Sequence, residues 1–138
     1  MGDVSLSSTQ HRLTVTVRGK IDQRLGSELR AALGEWFVRS HETSEVLLDL
    51  RDVEDYDILG RVEMIAAHGV LANAGRRCAY VTAHPRIRGL ALLTIGEVGD
   101  RGSRAVTTIE QGEAWLRGRE AVTEASIEQG EGAPRRRG

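Results

Sequence analysis

The sequence predicts an α/β domain: a mostly parallel sheet with an antiparallel N-terminal hairpin, and helices packed on that sheet. Residues 46–50 begin as an unbroken apolar run, which is typical of a strand buried on both faces. Strand patterns then alternate with helical spacing, which indicates parallel crossovers. Near the N-terminus, two alternating polar–apolar runs flank a polar turn, which indicates a hairpin. The predicted order is β-β-α-β-α-β-α-β-α.

The first three elements follow from local spacing. Alternation predicts two half-buried strands, one with Val4 and Leu6 and one with Leu13, Val15 and Val17. Asp22 is a good N-cap for a first helix. That helix carries one broad apolar stripe: Leu25, Leu29, Ala32, Leu33, Trp36 and Phe37.

An acidic segment follows the central strand, with carboxylates at Asp52, Glu54, Asp55 and Asp57. We expect residues 51–57 to form a loop leading into a helix that starts at Ile58. Sites in open α/β sheets lie at the carboxyl ends of strands, so this loop is the first candidate site. Its oxygens could hold a cation. Capping of the next helix is the favoured interpretation. Asp49 is predicted to be a hydrogen-bonded structural residue.

The second helix is apolar on nearly all sides. We predict a core-facing side that consists of Ile58, Val62, Ile65, Ala66 and Gly69. The opposite side would then carry Gly60, Met64, Ala67 and Leu71, with Arg61 and His68 at one margin and Glu63 at the other. Exposed apolar surface with a polar rim marks interaction sites, so Met64 and Leu71 are predicted docking anchors. The alternative is that the first helix or the C-terminal tail covers this side.

The remaining elements have clear boundary signals. Gly75 is predicted to end the second helix, and residues 78–81 to form the next strand. A third helix starts at His84-Pro85 and turns Ile87, Leu90, Ala91 and Thr94 inward. Residues 96–102 are predicted to be a loop and 105–107 a strand. Thr108 with Gln111 predicts a capping box for a last helix. The domain is expected to span residues 3–117, followed by a flexible tail over 118–138.

Composition excludes several classes of function. A net charge of -1 offers no electrostatic footprint for nucleic acid or an anionic membrane. The single Cys78 allows no internal disulfide. We find neither a signal peptide nor an apolar stretch near the roughly 18 residues of a membrane span, so a cytoplasmic protein is expected. The four histidines are scattered, and no nucleophile motif is present. We therefore expect no catalysis, no cofactor and no metal.

The element order, the Leu48-Asp49-Leu50 strand end and Asp57 ahead of Gly60 together resemble the STAS domain of bacterial anti-sigma factor antagonists. Gly19-Lys20-Ile21-Asp22 before the first helix also fits, and the likeness covers about residues 6–116. The resemblance implies a non-enzymatic regulatory module that binds another protein, such as a kinase-like partner. Self-association into a homo-oligomer stays open. The implied contact surface consists of Asp55, Tyr56, Asp57, Ile58, Leu59, Gly60, Arg61, Met64, Ala67, His68 and Leu71.

The chain departs from the family pattern at the two positions between Asp57 and Gly60. The family usually has a phosphorylated serine there, whereas Ile58 and Leu59 carry no hydroxyl. A phosphorylation switch is therefore not expected. Two alternatives stay open. One is a carrier for a small apolar ligand held between helices and sheet. The other is a degenerate receiver domain with Asp49 as acceptor, although no lysine follows Lys20 to complete that site.

Overall fold

The computed structural model of the protein describes residues 2–9 and 11–118. It contains a five-stranded sheet in the order β1-β2-β3-β4-β5. The strands are β1 (Asp3–Thr9), β2 (Arg12–Ile21), β3 (Glu45–Tyr56), β4 (Arg77–Val81) and β5 (Arg104–Val106). Only β1 and β2 pair antiparallel, and the other neighbours pair in parallel. The predicted mixed sheet is confirmed.

The helices lie where the strand crossovers require them. They are α1 (Gln23–Arg39), α2 (Ile58–Asn73), α3 (Pro85–Val98) and α4, which covers residues 109–118. The predicted element order is therefore confirmed. Residues 119–138 of the predicted tail lie outside the described residues, so the domain boundary stays a prediction.

The two faces of the sheet bury different helices. On one face, α1, α2 and α3 cover inward side chains of the central strands, among them Val15, Leu48 and Tyr80. On the other face, Leu116 of α4 packs with Leu47 and Val81. Because neighbouring residues of β3 point to opposite faces, one apolar run serves both cores. That is why residues 46–48 are apolar without alternation.

The acidic segment is not a loop, and that expectation was wrong. β3 continues through it to Tyr56 and pairs with β2, with Arg18 opposite Asp52 and Ile21 opposite Tyr56. Val53 is buried between exposed neighbours, as period-two alternation requires. The extension is irregular: the register shifts at two points, and Gly19 there has a φ of 96°.

The ends of α2 and α3 are set by glycines. Gly75 has a φ of 71°, and Arg76 N donates to Leu71 O at 3.0 Å, which closes α2 as predicted. The predicted loop over residues 96–102 starts too early. α3 continues to Val98, and Gly99, with a φ of 75°, ends it.

Candidate functional site

The start of α2 is pressed against the end of β2. Asp57 is the N-cap: its Oδ1 accepts a hydrogen bond from Gly60 N at 2.8 Å, and its own N donates to Ile21 O at 3.2 Å. A Cβ on Gly60 would lie 1.8 Å from Ile21 O, so only glycine fits this approach. The segment from Asp57 to Gly60 is thus held by the sheet and is not an independent loop.

Three of the four carboxylates of the acidic segment have close cationic neighbours. Three close pairs form: Arg18 with Asp52 at 3.8 Å, Arg86 with Asp55 at 2.7 Å, and Lys20 with Asp57 at 4.0 Å. Across the described residues, no cluster of His, Cys, Asp and Glu is arranged to hold a metal ion. Capping and ion pairing therefore account for Asp52, Asp55 and Asp57.

Arg86 joins the start of α3 to the end of β3. Its Nε donates to Asp55 Oδ1 at 2.7 Å, and a terminal nitrogen donates to Tyr56 O at 2.9 Å. The guanidinium also lies 4.2 Å from the centre of the Tyr56 ring. The hydrogen bond from Arg86, followed by one from Tyr56 N, lowers the pKa of Asp55. Asp55 and Tyr56 are thereby fixed beside α2.

The predicted orientation of α2 was wrong. Met64, Ala67 and Leu71, which were expected to face outward, are buried in the main core, and His68 is fully buried with them. Conversely, Ile58 and Val62 were expected to face the core, yet they are 69% and 53% exposed. The close approach of Gly60 to β2 explains the inversion, because it fixes which side of α2 faces the sheet. Met64 and Leu71 therefore cannot be docking anchors.

The predicted contact residues consequently divide into two groups. Gly60, Met64, Ala67, His68 and Leu71 lie inside the fold. Asp55, Tyr56, Asp57 and Arg61 are half-buried around the start of α2. Ile58 and Leu59, 69% and 54% exposed, lie there with Val62. We call the group Ile58, Leu59 and Val62 the outer patch. Sequence reasoning missed Val62 because it assigned that residue to the core.

A buried hydrogen-bond network lies behind α2, around His68. Its Nδ1 is 2.7 Å from the Tyr80 hydroxyl, and its Nε2 is 2.8 Å from Asp100 Oδ2. A carboxylate only accepts, so Nε2 carries the proton and Tyr80 donates to Nδ1. Ser103 Oγ donates to Asp100 Oδ2 at 2.5 Å and accepts from Cys78 N at 3.2 Å. The network joins α2, β4 and the segment after α3.

The His68 network is closed to a substrate. The imidazole lies between the Asp100 carboxylate and the Tyr80 hydroxyl, which is the order of acid, imidazole and hydroxyl in a nucleophilic triad. His68 and Tyr80 are both buried, however, and burial raises the pKa of the Tyr80 hydroxyl well above its ordinary value, so this hydroxyl is not an activated nucleophile. Burial lowers the pKa of His68, and the hydrogen bond to Asp100 only partly opposes that shift. The imidazole is therefore neutral near pH 7. Its role is to fix α2 on the sheet.

Two other candidate residues are structural, as the sequence predicted. Asp49 accepts from Arg51 Nε and from a terminal nitrogen of Arg51, both at 2.9 Å. Partial burial would raise the pKa of Asp49, but the Arg51 hydrogen bonds outweigh it and lower the pKa. Cys78 is fully buried, and burial raises the pKa of its thiol far above the ordinary value, so the thiol is unreactive.

Solved structures with the same architecture identify the fold. An anti-sigma factor antagonist from Mycobacterium paratuberculosis is 20% identical with a TM-score of 0.66, covering 85% of this chain and 95% of that chain. Unphosphorylated SpoIIAA is 15% identical with a TM-score of 0.61, covering 85% and 98%. This chain has the fold of the anti-sigma factor antagonists. No protein-family model matches the sequence, and no curated protein matches it.

The STAS-like fold also occurs in proteins without a defined activity. A protein from Shewanella loihica with a SpoIIAA-like fold is 10% identical with a TM-score of 0.60, covering 83% of this chain and 93% of that chain. Within residues 2–9 and 11–118, no helix is long and apolar enough to cross a membrane. The comparisons thus agree with the predicted fold class, and the contact residues stay a prediction.

Proposed function

We propose that this chain is a non-enzymatic regulatory module that binds a protein partner through the outer patch, in the manner of an anti-sigma factor antagonist. One observation carries the proposal. Ile58 and Leu59, the most exposed large apolar residues of α2, occupy the two positions between Asp57 and Gly60. By the STAS resemblance, those are the positions of the regulatory serine.

The surroundings of the outer patch suit protein binding. Asp57 fixes the first turn of α2, and Arg86 fixes the neighbouring Asp55, so the apolar side chains are presented from a rigid base. A rigid surface loses little entropy on association. Exposed apolar side chains surrounded by charged groups mark sites of protein contact.

Binding through this surface would be independent of phosphorylation. Neither Ile58 nor Leu59 has a hydroxyl, so neither can accept a phosphoryl group. The implied partner is a regulatory or kinase-like protein that contacts apolar side chains where its usual partner displays serine. Such a function belongs in the cytoplasm of a bacterium. The carrier alternative stays a prediction, which native mass spectrometry would test by revealing a retained ligand.

The test is binding of purified anti-sigma factors from the source organism to the immobilised full chain. We expect one of them to bind, and Ile58→Asp or Leu59→Asp to weaken its binding at least about fivefold, since anchors at the centre of an interface lose more than about 1 kcal/mol when they are replaced. The matched control is Val38→Asp on α1, where a valine is 77% exposed outside the patch.

Two results would contradict the proposal. If none of the anti-sigma factors binds the unmodified chain, the assignment to that regulatory class is wrong. If Val38→Asp weakens binding as much as Ile58→Asp does, the outer patch is not the contact surface. Circular dichroism of each variant confirms that the fold is retained.

A further inference from the structure

The surface between α2 and α3 forms an apolar groove with one charge on each side. Val62 and Ile65 of α2 and Leu93 of α3 line it, together with Arg61 and Glu97. The groove is open and has a volume of about 210 Å³. Val62 and Leu93 are 53% and 37% exposed, so the described part of the chain leaves this apolar surface uncovered.

The two charges are oppositely signed and lie on opposite sides of the groove. Arg61 belongs to α2, near its N-terminus, and Glu97 belongs to the last turn of α3. Among the described residues, neither side chain forms an ion pair or hydrogen bond. The dipole of α2 disfavours a positive charge near its N-terminus, where Arg61 lies, and the dipole of α3 disfavours a negative charge near its C-terminus, where Glu97 lies. Within the described residues, neither charge therefore has a hydrogen-bonded or ion-paired partner.

This charge pattern is complementary to itself. A two-fold axis along the groove would place α2 of one copy over α3 of the other. Arg61 of one copy would then face Glu97 of the second, and the second copy would repeat the contact in reverse. Val62, Ile65 and Leu93 would be covered by the same three residues of the other copy. A second copy alone would therefore cover the apolar residues of the groove and pair both of its charges.

We propose that the α2–α3 groove is a homodimer surface, occupied by a second copy of this chain. The contact goes beyond the proposed function and does not rest on it. The groove shares Val62 with the outer patch, whereas Ile58 and Leu59, which carry the proposed function, do not line it. We expect a contact limited to two helices to bury less area than the roughly 1,200 Å² of a standard stable interface. The dimer is therefore expected to be reversible and concentration-dependent.

The test is sedimentation of the full chain between about 1 μM and about 1 mM. We expect a shift from monomer to dimer within that range. Arg61→Glu and Glu97→Arg should each weaken self-association about tenfold or more, because each substitution creates two like-charge contacts in a symmetric dimer. Both side chains are at the surface, and unchanged thermal unfolding confirms that each variant folds.

Mixing the two variants gives the decisive result. A mixed pair places two arginines opposite two glutamates, so Arg61→Glu and Glu97→Arg should associate with each other although neither associates with itself. Restored association of the mixture supports the proposal, since only contacts between chains can produce it. A monomer at every concentration would overturn the proposal and leave the groove to another occupant. A mixture of the two variants that fails to associate, while the unmodified chain dimerises, would also overturn the proposal.

Discussion

The two sides of α2 have nearly the same composition and opposite surroundings. Met64, Ala67 and Leu71 fill the core, whereas Ile58 and Val62 face solvent. Apolar periodicity indicates the buried side only when the other side is polar. In α2 the buried side is set instead by single contacts, above all by Gly60 against Ile21 O and by His68 against Tyr80. A helix that is apolar all round takes its orientation from its closest contacts.

The substitution with the largest expected effect on stability removes the close approach between Gly60 and Ile21. Gly60→Ala would place a Cβ 1.8 Å from Ile21 O, and neither backbone segment can move away without losing the Asp57 cap. We expect a loss of about 4 kcal/mol or more in the free energy of unfolding. Urea denaturation of the variant and the unmodified chain measures this loss.

The control lies on the same helix. A Cβ on Gly69 would meet no atom within 4 Å, so Gly69→Ala should gain about 0.5–1 kcal/mol from helix propensity. Equal losses from both substitutions would show that Gly60 is not the contact that orients α2.

The second comparison is between core and surface side chains of α2. Leu71 is fully buried, so Leu71→Ala should lower the free energy of unfolding by about 3 kcal/mol through lost packing and a residual cavity. Val62→Ala removes an exposed side chain and should change it by less than about 0.5 kcal/mol. Chemical denaturation of both variants gives the difference. A larger loss for Val62→Ala would restore the orientation that the sequence suggested.

Most of the fold was predictable, because its elements have local signals. The N-cap at Asp22, the C-terminal glycine at Gly75 and the inward residues of α3 all lie as predicted. The strand extension to Tyr56 was missed because the many charged residues were taken as the sign of a loop, although the alternation around Val53 is typical of a strand. At the last helix, Thr108 caps Gln111 N as expected, but the Gln111 side chain accepts from Thr107 instead of closing the box.

The site was less predictable, because its geometry depends on contacts between distant residues. His68 and Asp100 are 32 positions apart in the chain, and no spacing rule connects them. Arg86 and Asp55 are 31 positions apart. Gly60 alone could not have revealed its close approach to β2, because Gly69 lies in the same helical pattern and a Cβ there would meet no atom within 4 Å.

His68 should have a smaller effect, on how the free energy of unfolding varies with pH. Its pKa in the folded protein lies below the ordinary value of 6.5 because of burial, so the unfolded chain binds the proton more readily as pH falls below that value. The free energy of unfolding should therefore decrease from about pH 7 to about pH 5, by at most about 1.4 kcal/mol per pH unit. The lowered pKa of Asp100 keeps that carboxylate ionised across the range.

His68→Gln provides the comparison for that pH profile. The variant should be less stable overall, and its free energy of unfolding should vary less between the two pH values. Identical slopes for the two proteins would show that protonation of His68 does not contribute. Denaturation at several pH values within the range measures both slopes.

The most direct test of the central claim, that α2 buries Met64 and displays Val62, is thiol labelling of native Val62→Cys and Met64→Cys. Buried Cys78 serves as the slow internal reference. We expect the thiol introduced by Val62→Cys to react at least about 100-fold faster than the thiol introduced by Met64→Cys, which should react only when the helix opens. Circular dichroism confirms that both variants are folded. Faster reaction of Met64→Cys than of Val62→Cys in folded protein would contradict the orientation of α2 and, with it, the outer patch.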